Sequence, residues 1–587
     1  MKKLLLLITI CGVFAVNYAD AQKRLPINEF FAASGSPANP KVKATWNYYR
    51  NLNQIEALCK EIAAAYPDLA KVYSIGKSYE GNEMWGLTIS DSKSGDPDQK
   101  PGMMIFANIH SNEIQATTMA LYTAWYLTEM HASNEFIQEL LKDKTFYIVP
   151  TINPDAREYF MYGANTPHSP RAGMIPIDID RDGYIDEDGY DDFDNDGNIV
   201  QMRRKSSNGR YIEDPKDSRK MIEVAPDQKG EYEILGYEGF DNDGDGKINE
   251  DGIGGYDPNR NFGYGWEPNY LQGGSYKYPM SIVENRNIVD FLHAHPNIGA
   301  GQTYHNSGGM ILTPPGAIDD AKSVNKNDMA VYNYIASKGE EMIPGYKQYV
   351  IYEDLYTTVG SDIDYMGLGM GMFTYCNELY SKFDMFNGQY KGDASDQQYE
   401  FDKLLLFNDG MVDWKEVEHP QFGTIEVGGV KKNFSRIHPG FLLESAAHRN
   451  MAFTILHCYH TPKLSVDSVT EKALGGGLKE VTAVISNSRL MPTHSDWDLK
   501  NKISRPDWIK LEGANVVAGM IVTDPKLGTT REQIFGNYKE QKNNPEKLIV
   551  DNISGNSYVT VRWIISGDSK YSITVDSQRG GIATYNK

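Results

Sequence analysis

His110 and Glu113 stand three residues apart in ANIHSNEIQA (107–116), where the apolar run MMIFANI (103–109) stops and a helical pattern begins. A histidine and a glutamate at a strand end are either polar punctuation or half of a metal site. His305, in TYHNSGG, closes another apolar run and by itself reads as a structural histidine. Two histidines and one carboxylate, with a fourth position left open, make the ligand set of a catalytic zinc ion. Zinc lowers the pKa of its bound water to about 7, which provides hydroxide near neutrality. A base must still take the proton and return it to a leaving amine. Glu378, closing the apolar FTYCNELY, is the candidate.

In YDPNRNFGYGW (256–266) an arginine joins two amides in a tight polar turn. Its planar fork suits the carboxylate of a ligand. Arg260 can equally bridge carboxylates of neighbouring loops, of which there are many. DIDRDGYIDEDGYDDFDNDG (178–197) holds ten carboxylates and one arginine, and DNDGDGKINEDG (241–252) follows. Unpaired, such a run repels itself. The spacing D-x-D-x-D-G, however, puts short oxygen ligands at positions 1, 3 and 5 of a calcium loop, with the turn-forming glycine at 6. Asp178, Asp180 and Asp182 with Gly183 fit it, as do Asp192, Asp194 and Asp196 with Gly197, and Asp241, Asp243 and Asp245 with Gly246. An EF-hand carries a bidentate glutamate at position 12. Here those positions are Gly189, Arg203 and Gly252. The expectation is structural Ca2+ in loops that borrow ligands from neighbours; the alternative is a solvated acidic loop.

The elements that must hold these residues follow from periodicity. WNYYRNLNQIEALCKEIAAAY (46–66) predicts a helix ended by Pro67, and 69–90 predicts two strands around a glycine-rich turn. A strand at 103–109, a helix at about 113–130 and a strand at 145–153 come next, then a helix at 285–295 and strands at 299–305 and 370–380. Buried strands alternating with helices predict an α/β fold, a mixed, mostly parallel sheet flanked by helices. Ligands gather at the carboxyl ends of such strands, where His110, His305 and Glu378 fall. Between about 165 and 256 the alternation is lost. After Pro462, strands at 478–490, 515–524, 547–553, 558–567 and 570–577 predict a separate β-sandwich over 463–587, without a metal-ligand cluster or a nucleophile with its base, and with no anchor in its closing GGIATYNK.

With 587 residues the chain exceeds one ordinary domain. In MKKLLLLITICGVFAVNYADAQ, two lysines, the apolar core Leu4–Val16 and Ala19-Asp20-Ala21 predict a signal peptide over 1–21, a mature start at Gln22, and a secreted protein, periplasmic or extracellular. Cys11 follows Ile10, so a lipid-anchored start is not expected. No later stretch is apolar for the 18 or so residues of a membrane span. Cys59, Cys376 and Cys458 remain, odd in number and widely spaced, which predicts small buried residues rather than a disulfide framework, with one bridge left open. A net charge of −21 argues against a nucleic-acid partner.

H-x-x-E (110–113), N-P-D-A (153–156), D-P-N-R-N-F (257–262), Y-H-N-S (304–307) and F-T-Y-C-N-E-L (373–379), in this order, resemble the zinc carboxypeptidases of the pancreatic type. The resemblance covers roughly 45–460 without the acidic insertion and places a catalytic domain at 22–462. It implies that His110, Glu113 and His305 hold one zinc ion and that Glu378 activates the water. It implies that Asn259 and Arg260 grip the substrate's terminal carboxylate, helped by the mobile tyrosine of LYTTVGSDIDY (355–365), Tyr356. Ile363 then floors the pocket for the terminal side chain, which disfavours basic residues, although Asp362 stands beside it. In QMRRK (201–205) Arg204 aligns best with the oxyanion arginine, one step from Arg203. An arginine common in the family just before the zinc glutamate is Asn112 here. No sizeable pro-segment precedes the catalytic region, so prodomain latency is not expected. The implied protein is a monomeric secreted metallocarboxypeptidase acting on peptides or proteins with a free C-terminal carboxylate. Two alternatives stay open: a zinc amidohydrolase on cell-wall peptides, and a calcium-dependent binding protein on an inactive peptidase scaffold.

Overall fold

Strand β3 (Gly102–Ala107) is buried at every position, which requires cover on both faces. The computed structural model describes residues 33–168, 170–524, 529–530, 543–567 and 570–587; the signal-peptide segment lies outside them. β3 sits inside an eight-stranded sheet with β1 (Ala70–Lys77), β2 (Glu83–Ile89), β4 (Thr145–Val149), β5 (Ile298–Asn306), β6 (Met310–Thr313), β7 (Lys347–Val350) and β8 (Phe373–Leu379). The order is β1-β2-β4-β3-β5-β8-β6-β7. The four central strands β4, β3, β5 and β8 are mutually parallel, and antiparallel pairs lie toward the edges.

Alternate residues of β3 feed two cores. Met103, Ile105 and Ala107 join the side covered by α1 (Leu52–Ala65), α2 (Gln115–Met130) and α4 (Gly440–Tyr459), whereas Met104 and Phe106 meet α3 (Val283–Ala294) through Ile288 and Leu292. All of α2 is buried, because it lies between the sheet and α4 and has no solvent face. The helix expected over 46–66 starts only at Leu52. Asn51 and Gln54 form a reciprocal capping box there, and Trp46 packs into the core instead. Cys59, Cys376 and Cys458 are buried and free.

The acidic stretch is not all loop. Gln201–Lys205, Tyr211–Asp214, Asp217–Glu223 and Tyr232–Tyr237 form a six-stranded sheet with Met411–His419 and Gly423–Val430. Beyond residue 463 a five-stranded and a four-stranded antiparallel sheet close on a core that contains Val481, Ile509, Val561, Trp563 and Ile573. The last residues form a strand, Gly581–Asn586, paired with Ser572–Ser577. This region also holds what the sequence did not lead us to expect, a buried His494 between Asp498 and Asp507 with the Ser504 hydroxyl against it. Arg579 binds Asp498 and donates to the backbone of Met370 and Gly371, tying these sheets to the larger body. Among the described residues no helix is long and apolar enough to cross a membrane.

Candidate active site

The turn after β3 is built by Asn108, which adopts a left-handed φ of 61° that asparagine tolerates. Its amide donates to the carbonyls of His110 and Ser111, while its oxygen accepts from buried Arg157 and from Thr151. Asn153 of N-P-D-A donates to the Ile109 and Ala172 carbonyls, which fixes the segment around 171 beside the same turn. His110 and Glu113 are thereby held inward at 3% and 1% exposure. His305 enters from the end of β5, adjacent to β3.

The three side chains converge. His110 Nδ1 lies 2.9 Å from Glu113 Oε1 and 3.3 Å from His305 Nδ1, and His305 Nδ1 lies 3.1 Å from Glu113 Oε2. Glu113 Oε2 is buried and, beyond this His305 contact, meets no donor among the described residues. The outer ring nitrogens are engaged: His110 Nε2 is 2.9 Å from Asp257, and His305 Nε2 is 3.2 Å from Asp362. Carboxylates on the far nitrogens orient metal-ligating histidines. Two nitrogens, a buried carboxylate turned toward both, and this backing fit one zinc ion. Burial alone would raise Glu113, but His110 and His305 hold its carboxyl well below the usual carboxylate range. Against the downward pull of burial, Cys376, Glu113 and Asp362 raise His305 well above the ordinary imidazole value.

Glu378 is the register partner of His305 on β8. Burial, and then the neighbouring Glu113, push its carboxyl up to about 7, opposed by His305, His110 and Arg171. Asn259 is buried and accepts from the Asp362 amide at 2.7 Å, so D-P-N-R-N-F reaches both histidines, through Asp257 and through Asp362. Among the described residues Arg260 is engaged only locally, 2.7 Å from the Asn259 carbonyl and 4.0 Å from Asp257, and bridges no distant loop carboxylate. Tyr356 is 58% exposed, while Ile363 is buried against Leu312, Ile351 and Cys376. Asp362, which the sequence left as an acid beside the pocket floor, turns to His305 instead.

Arg204 requires correction as the oxyanion arginine. It sits in the six-stranded sheet and binds Glu233 through Nε at 2.7 Å, and Arg203 is locked between Glu213 and Glu426. The strand Gln201–Lys205 pairs with Gly423–Val430 and Tyr232–Tyr237, not with the main sheet. Arg171 occupies the cluster in its place: Nη1 is 3.1 Å from Glu113 and Nη2 is 3.0 Å from His110 Nδ1. Arg171 lies outside every quoted motif, and only the fold brings it in. Asn112 is buried, its amide directed at the Pro167 carbonyl.

In the insertion the three D-x-D-x-D-G loops repeat one pattern. Asp178, Asp192 and Asp241 accept from the glycine amides of Gly183, Gly197 and Gly246. The structure groups Asp178 and Asp180 with Asp251, and Asp180 and Asp182 with Glu187 and Asp243. It groups Asp192 and Asp194 with Glu238, and Asp243 with Asp188 and Glu250. Asp196 and Asp245 turn to the following backbone amides of Asn198 and Lys247.

A family model described as zinc carboxypeptidase matches residues 55–389, and a domain of unknown function matches 463–586. Carboxypeptidase D of Drosophila melanogaster is 29% identical over 145 residues, 25% of this chain and 10% of that protein. A zinc carboxypeptidase of Saccharothrix mutabilis subsp. capreolus is 30% identical over 111 residues, 19% of this chain and 25% of that protein. The chain thus matches between a tenth and a quarter of the length of these two relatives. The structure of carboxypeptidase A from Helicoverpa armigera aligns with TM-score 0.42 at 16% identity, covering 71% of this chain and 74% of that one.

Proposed function

The chain belongs to the zinc carboxypeptidase family, and on that premise we propose that it is a secreted, zinc-dependent exopeptidase that removes the C-terminal residue from peptides or proteins. The observation that carries this reading is the buried His110–Glu113–His305 cluster with Glu378 in register beside it. Zinc held there supplies Lewis-acid activation of the scissile carbonyl and of the attacking water.

The chain's own residues do the rest. Asp257 and Asp362 fix the imidazole rings with both Nδ1 atoms turned toward the Glu113 carboxylate, where with it they would hold the ion. Glu378 accepts the proton of the attacking water, at a carboxyl whose affinity burial has raised toward neutrality, and hands it to the departing amine. Arg171, already beside Glu113, lies where charge on the carbonyl oxygen develops, and stabilises it. Asn259 and Arg260 grip the terminal carboxylate, and exposed Tyr356 closes on it. An internal peptide bond offers no carboxylate to hold, which makes the reaction terminal. The apolar floor at Ile363 and the diversion of Asp362 to His305 favour an uncharged terminal side chain. Calcium stands outside this chemistry, in the insertion.

Mass spectra of a peptide mixture, each peptide supplied as free acid and as amide, test the reading with wild type and Glu378→Gln side by side. Stepwise shortening of the free acids alone, absent in the variant, is the expected result. Zinc-loaded protein that trims neither form would move the substrate away from peptides.

A further inference from the structure

Glu238 is fully buried at 0% exposure, and one of its carboxylate oxygens, Oε1, has no hydrogen-bond partner among the described residues. Its other oxygen accepts from the Val200 amide at 2.9 Å, and the Glu238 amide donates to the Val200 carbonyl at 2.9 Å. A buried carboxylate oxygen without a partner is costly and points to an ion or donor that completes it. Asp192 and Asp194 bring one oxygen each to within 4.8 Å of Glu238 and of one another. Among the described residues one cation is near: Lys415 Nζ stands 2.7 Å from Asp194 Oδ2 and 3.4 Å from Asp196 Oδ2. It does not meet the Glu238 oxygen.

We propose that Asp192, Asp194 and Glu238 form a calcium site, in which the loop supplies two carboxylates and the buried glutamate replaces the ligand that an EF-hand takes from its twelfth position. All the donors are oxygens, which disfavours zinc. Ligands on an irregular loop suit calcium, with its larger and irregular coordination shell, better than magnesium, which demands a near-ideal octahedron. Glu238 directly follows the strand Tyr232–Tyr237, and Val200 directly precedes Gln201–Lys205. The ion therefore clamps the acidic loop to the end of this strand pair. Lys415 lies on the outer side and shares Asp194 with it.

Full-length protein in calcium-free, zinc-containing buffer, titrated with calcium by calorimetry and melted in parallel, tests the site. Glu238→Gln should bind one ion fewer per chain than wild type. It should also invert the order of melting: above wild type without calcium, because a neutral amide replaces the acid buried among Asp192, Asp194 and Asp196, and below wild type with calcium. Lys415→Met should tighten the ion that Glu238→Gln loses. If Glu238→Gln does not fold, Asp194→Asn serves, with the same loss of one ion. Equal ion counts in wild type and the folded variant would assign any calcium to the other two loops and overturn the site, as would a wild type that binds none. No readout here uses turnover, so failure of the peptidase reading leaves the result intact.

Discussion

Glu378 and His305 are register partners on adjacent parallel strands, β8 and β5. Side chains at paired positions emerge on the same face of a sheet. The pairing therefore sets the proposed base beside a proposed metal ligand without help from any loop. Glu378→Gln keeps this shape and removes only the proton acceptor. We expect kcat to fall by about 10²–10⁴-fold, the usual worth of a general base, with bound zinc unchanged. Stopped assays with free-acid peptides and metal analysis of the same sample measure both. Wild-type kcat in the variant would remove Glu378 from the chemistry.

Asp257 and Asp362 touch the histidines at their outer ring nitrogens. Asp257→Asn and Asp362→Asn should each weaken zinc about 10–100-fold, the typical effect of losing such backing. Competition with a chromogenic chelator reads this directly. Unaltered affinity in both would mean that the rings are oriented by packing alone. Asp362→Asn carries a second signature, because the Asp362 carboxylate also accepts from the Asn259 side chain. A shift in KM for free-acid peptides should accompany the zinc loss there and not in Asp257→Asn.

The cluster of His110, Glu113 and His305 was legible because each histidine ends a strand-like run, with Glu113 three residues after the first, and strand ends are where a parallel sheet presents its chemistry. The central strands were legible for the same reason, since burial on both faces leaves an unbroken apolar signature in β3 and β4. Arg171 was not legible. It precedes the acidic loops in an irregular segment and reaches the cluster only because Asn153 ties that segment to the turn after β3. Arg204 misled because its strand lies in a sheet that pairs residues more than 200 positions apart, Arg203 with Glu426. The sheet of the insertion went unseen because charge masks its alternation. The His494 cluster was equally hidden, its members spread over 494–507 with no common period.

Two arginines now carry opposite expectations. Arg171→Ala should lose about 10²–10³-fold in kcat if it stabilises the developing oxyanion as one preorganised donor does. Arg204→Ala removes a partly exposed pair with Glu233 and should leave kcat and KM at wild type. Kinetics of the two variants on one free-acid peptide decide between them. The reverse pattern would return the role to the six-stranded sheet.

His494 gives the stability of the C-terminal sheets a pH dependence with a definite sign. Its Nδ1 lies 3.1 Å from Asp498 and its Nε2 3.1 Å from Asp507, both buried. Burial disfavours the imidazolium, but the two carboxylates prevail and push its pKa from 6.5 up to about 9. Arg579 also faces Asp498, at 3.0 Å, and stays charged throughout. The folded chain thus holds the proton more tightly than the unfolded one. The resulting stabilisation is fully present below pH 6.5 and is lost as pH rises through about 9. Wild-type Tm should therefore fall between these limits more steeply than that of His494→Gln, which has no proton to release. Zinc-linked titration is common to both proteins and cancels in the difference. Calorimetric melts at three or four pH values across the window measure it, and parallel curves would show that His494 does not titrate there.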